Sequence, residues 1–133
     1  MKNFTWIGLL VACIGLNTTT LFAQDASQAI FYIQTLDANG QPLGGGTGFF
    51  VDAKGTGITH RNNFIGAASA QLITADSSIY AIERITGEDA ATGLVRFQAT
   101  GLSGDVASLK TANQAPKEGT SVEAWSADGP IGA

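Results

Sequence analysis

Gly46-Thr47-Gly48-Phe49-Phe50-Val51-Asp52-Ala53-Lys54-Gly55-Thr56-Gly57-Ile58-Thr59 is the stretch that decides the fold class. Residues 48–52 make a short apolar run, Ala53-Lys54-Gly55 has the makings of a tight turn, and Ile58-Thr59 is β-branched. Aromatic and β-branched side chains suit a pleated, half-buried surface, and glycine tolerates the backbone of a turn. The stretch therefore predicts a β-hairpin.

The same signals recur on both sides of it. Residues 29–35, rich in Ile, Phe and Tyr, predict a strand, and Asp37-Ala38-Asn39-Gly40-Gln41-Pro42 predicts the turn that follows. Residues 72–74 and 79–85 flank Asp76-Ser77-Ser78 as a second hairpin, and residues 94–98, 106–109 and 120–125 supply further strands. About eight short strands with frequent turns describe a sandwich or small barrel. Only residues 64–71 have a helical look, for two turns at most. Gly44-Gly45-Gly46 lies between strand candidates and predicts a bend or bulge rather than a linker. Phe49, Phe50, Phe64, Leu94 and Phe97 are the candidate core.

The N-terminus reads as an export signal. Lys2 precedes an apolar run from Trp6 to Leu16, and a small residue, Ala23, stands before Gln24. Residues 1–23 are expected to be a signal peptide cleaved after Ala23. The run is short of the ~20 residues a membrane span needs. Leu10-Val11-Ala12-Cys13 is an alternative lipoprotein box, with Cys13 as the lipidated residue; on either reading the protein is exported, to a periplasm or to the medium. The expected mature domain, 24–133, has no cysteine, which excludes a disulfide framework and thiolate metal sites. Without Lys2, six basic residues face eleven acidic ones. Such a surface argues against nucleic acid as a partner. No metal-ligand cluster stands out, so no cofactor and no metal are expected.

Three local features invite chemistry. The glycines at 44–48 lack the Gly-Lys-Ser/Thr ending and the following helix of a phosphate-binding loop. His60, the single histidine, stands beside Arg61 at a strand end and reads first as a surface residue. Glu88 and Asp89 read as solvating groups of a turn.

The order of the residues carries a further reading. The stretch from Gly46 to Thr59 resembles the opening hairpin of bacterial trypsin-like serine peptidases of the Do (HtrA) type. The similarity runs on through Gly66-Ala67, residues 70–75, the Asp76 turn with Tyr80, and residues 89–97. It closes at Gly119 to Trp125 with Gly129-Pro130, so it covers roughly 28–133. The resemblance implies an all-β, six-stranded antiparallel barrel, the first half of a trypsin-like double barrel. It further implies a cleft between barrels, with histidine and aspartate from the first barrel and serine from the second.

Carried over position by position, the catalytic residues are missing. In the family's Thr-x-x-His, counted from Thr59, Asn62 stands at the histidine place, and an amide has no basic nitrogen. In Asp-x-x-Thr-Asp-Leu-Ala, read onto Asp89 to Val95, Gly93 stands at the aspartate place. The serine segment is absent, and Gly101-Leu102-Ser103-Gly104 reads as a loop. The expectation is a chain truncated before its second barrel, an inactive homologue that binds protein or extended peptide by strand addition, with an oligomer or a second barrel covering its exposed face. Two other readings stay open. One is a fragment of an active endopeptidase that uses His60 as its base, and the other is a stand-alone structural barrel of the envelope.

Overall fold

The computed structural model describes residues 26–131. The expected signal segment 1–23 and Cys13 lie outside the described residues. Eight strands follow in order: β1 (Ile30–Leu36), β2 (Pro42–Phe50), β3 (Thr56–His60), β4 (Ser69–Thr74), β5 (Ile79–Asp89), β6 (Leu94–Thr100), β7 (Ala124–Ser126) and β8 (Gly129–Ile131). A single-turn 3₁₀ helix, Arg61–Phe64, follows β3. The first six strands close into an antiparallel barrel in the order β1-β2-β3-β6-β5-β4, and β7–β8 form a separate hairpin. The expected all-β fold with a six-stranded antiparallel barrel is the observed one.

Alternation along the strands sets the barrel interior. On β1, Phe31, Ile33 and Thr35 point in, while Tyr32 points out. Val95, Phe97 and Ala99 do the same on β6. Phe31, Phe50 and Phe97 meet at the centre, with ring centroids 4.7 Å apart for Phe31–Phe50 and 5.8 Å for Phe31–Phe97. Ile33, Leu72 and Ala99 complete the core, and Phe64 packs against it.

The hairpin's glycines are explained by these rings. A Cβ on Gly48 would run into the Phe31 ring, and one on Gly57 would run into Phe97. Gly46 leaves room for the Asn63 side chain, whose Oδ1 would lie 2.5 Å from an added Cβ. The Gly-Thr-Gly-Phe pattern is thus a packing solution for a barrel filled by three phenylalanines.

Several local expectations need correction. Gly44-Gly45-Gly46 is no bend, since it lies inside β2 paired with Thr35, Gln34 and Ile33 of β1, but the expected bulge adjoins it: the register slips between Thr35–Gly44 and Leu36–Pro42, with Leu43 as the extra residue. Leu94 is half exposed, because the two-residue period that buries Val95 turns its neighbour outward. Phe49 is likewise set outside the core by the burial of Gly48 and Phe50. Residues 106–109 form no strand. Val106 and Leu109 donate single backbone bonds to the carbonyls of Ala53 and Phe50, which makes the segment a strap across the barrel end. Within 120–125 only Ala124 and Trp125 are extended and paired, and in 64–71 a strand begins at Ser69 where a helix was expected.

Candidate functional site

The two positions singled out by the sequence meet at one end of the β3–β6 ladder. His60 pairs with Leu94, and the Arg61 amide donates to the Gly93 carbonyl at 2.8 Å. Asn62 follows in the 3₁₀ turn, exposed to solvent, and Gly93 is buried at the turn that opens β6. The chain is held in this path by Asn63. Its amide donates to the Thr59 hydroxyl at 2.9 Å, and that hydroxyl donates to the Thr47 carbonyl at 2.9 Å.

His60 covers the floor of this corner. Its imidazole lies so close to Gly93 that an added Cβ there would be 2.6 Å from Nε2 and 3.0 Å from Cε1. The other ring nitrogen, Nδ1, accepts the Asn62 backbone N–H at 3.2 Å and caps the 3₁₀ turn. In the neutral ring this bond assigns the proton to Nε2, so the one accepting lone pair is already engaged. A general base needs a free lone pair in reach of a hydroxyl. Among the described residues, neither ion pair involves His60, and no hydroxyl bonds to it.

The acidic neighbours are committed elsewhere. Asp89 accepts the Thr92 hydroxyl at 2.8 Å on Oδ2 and the Ala91 amide at 3.0 Å on Oδ1. The Thr92 hydroxyl first, then the Ala91 amide, hold its carboxyl below the ordinary aspartate range. Asp89 therefore shapes the turn through Gly93, whose φ is +74°. Glu88 pairs with Arg61 at 3.4 Å, with both side chains about half exposed, the kind of surface pair that contributes little to stability. Among the described residues, no group of three His, Cys, Asp or Glu side chains is arranged to hold a metal ion.

Ser103 is far from this corner. Its loop follows β6 at the opposite end, where Leu102 packs on Gly55. Four residue steps of β3 separate the two ends, about 13 Å at the rise of a strand. Ser103 instead lines a shallow cleft with Asp76, Tyr80 and Asp105. No family model matches the chain, and no curated protein matches its sequence.

Sequence reasoning reached Asn62, Gly93 and His60 as separate positions. It missed that His60 lies on Gly93, because ring direction at a strand end depends on the turn that follows. It also missed Asn63 as an anchor, for which the only signal is the glycine at 46 that makes room for it.

Proposed function

We propose that this chain is an exported, proteolytically inactive homologue of the trypsin-like serine peptidases that works as a peptide- or protein-binding module. The observation that carries this reading is the corner beyond β3. An amide without a basic nitrogen stands where the resemblance implies histidine, and a glycine covered by an imidazole stands where it implies aspartate. The two departures are far apart in sequence, yet the Arg61–Gly93 backbone bond brings them to one place. A pair of catalytic positions would have to share a place in this way. The closed six-stranded barrel agrees with the architecture that the resemblance implies for a first barrel.

The reading that makes His60 the base of an active enzyme is disfavoured by its geometry. Nδ1 is occupied by the Asn62 amide, Nε2 faces the Gly93 backbone, and among the described residues no carboxylate pairs with the ring. Casein hydrolysis by the protein isolated from its native host tests the proposal. No cleavage is expected, and His60→Ala should leave that result unchanged. Cleavage that disappears in His60→Ala would overturn the proposal in favour of an enzyme.

A further inference from the structure

The barrel wall is incomplete along one side of β5. β6 accompanies β5 from Ala81 to Asp89, but β4 pairs with it only at Ile79, Tyr80 and Ala81. At the start of β4, Ser69 and Ala70 pair with Leu36 and Thr35 of β1 and have no register partner on the β5 side. The Gln71–Ala81 pair is closed by the Ile82 amide on the Ala70 carbonyl; beyond it, among the described residues, 83–88 are paired with β6 alone. Between this free edge and the facing segment 67–70 lies an open groove of about 370 Å³, with Phe64, Ile82, Ile85 and Val95 as its apolar lining.

An unpaired strand edge beside an apolar groove has a specific complement. Main-chain groups of an added strand satisfy the edge, and every second side chain of that strand enters the groove. We propose that residues 83–88 of β5 receive an extended segment of another protein, with alternating apolar and small polar residues, as an added strand. This rests on the reading of the chain as a binding module.

The flanks select a lone strand over a second copy of the barrel. The β5 edge of another copy carries β6 along its other side, whereas the groove is already bounded by this chain's own 67–70. Register slips at Glu83 and Thr86 mark two bulges, which increase the local twist and oppose flat edge-to-edge stacking. A short peptide can follow that twist. Glu83 and Arg84, of opposite sign on the same lining, favour a segment of little net charge.

The test uses the full chain and a fluorescent, end-capped peptide of about seven residues that alternates valine and threonine, with lysine at one end and glutamate at the other. Anisotropy is expected to show saturable binding, with the peptide recovered intact, and amide exchange is expected to slow at residues 83–88. N-methylation along one edge of the peptide should abolish binding, while methylation along the other edge is tolerated. Ala67→Trp, on the facing wall, should weaken binding at least about tenfold in a protein whose circular dichroism is unchanged. Equal binding by both N-methylated peptides, protection elsewhere in the barrel, or no binding overturns the strand-addition site. Concentration-dependent dimerisation that protects residues 83–88 without peptide overturns it in favour of self-association. Cleavage of the peptide would instead overturn the non-catalytic reading itself.

Discussion

Replacing Gly93 with alanine tests the corner on which the functional reading stands. Two costs arise from the structure. At φ +74° an L side chain sits in the left-handed region, at about 1–2 kcal/mol. The new methyl would also lie 2.6 Å from His60 Nε2, so the ring must turn away. Because the ring is exposed, it can move, but moving it gives up the Nδ1 bond that caps the 3₁₀ turn. Such a cap contributes on the order of 1 kcal/mol. The sum is roughly 2–3 kcal/mol, which for a domain of this size lowers Tm by about 10 °C or more. In a His60→Ala background the cap is already gone and the space is free, so only the backbone cost remains. A double-mutant cycle followed by urea denaturation should therefore show about 1 kcal/mol of coupling between positions 60 and 93. If Gly93→Ala costs the same in both backgrounds, His60 does not lie on Gly93 and the account of the corner is wrong. The same numbers bear on any larger side chain at 93, since an aspartate there needs His60 removed as well.

Two further outcomes follow from the barrel interior and its turns. Gly57→Ala drives a methyl into the fully buried Phe97 ring and should cost about 1–3 kcal/mol, part of which Phe97→Leu in the same chain recovers; equal stability of Gly57→Ala and the parent in urea would refute the packing account. The carboxyls of Asp52, Asp76 and Asp89 are all held below the ordinary 3.8, first by the hydroxyls of Thr56, Thr74 and Thr92 respectively. A depressed carboxylate stabilises the fold above its unfolded-state pKa, and that stability is lost as pH falls through the lower folded value. The urea midpoint should thus stay flat from neutral pH to about pH 5 and fall below about pH 4, with Asp52→Asn lower at neutral pH and flatter in acid. An acid limb that is unchanged in Asp52→Asn would remove that residue from the explanation.

Strand alternation made much of the barrel legible in advance. Phe50, Phe97 and the β2–β3 hairpin could be read from residue type and spacing, because a two-residue period fixes which face is buried. The glycines at 44–46 signalled the bulge beside Gly44 but not a bend, since turn chemistry and close packing against a neighbouring strand use the same residue. Val106 and Leu109 look like a strand to composition, yet only partners distant in sequence decide whether a ladder forms. In the candidate site, Asn62 and Gly93 were reached from the sequence as two separate positions. The imidazole lying on Gly93 was not, because it depends on a left-handed turn whose position only the folded chain fixes. The free edge of β5 was hidden for a similar reason: residues 79–85 announce a strand but not how many neighbours it has.

The order of strands around the barrel also sets how the chain must fold. Hairpin contacts β1–β2, β2–β3 and β4–β5 join near neighbours, but closure brings Gly57 to Phe97 and Phe31 to Thr74. These ladders repay the entropy of loop closure only after long segments have been gathered, which places such a topology among slow-folding β proteins, in the millisecond to second range. The β4–β5 junction has just three residue pairs to reward its closure. Its short loop lets it form early, but so few pairs make it the place where the finished barrel first reopens.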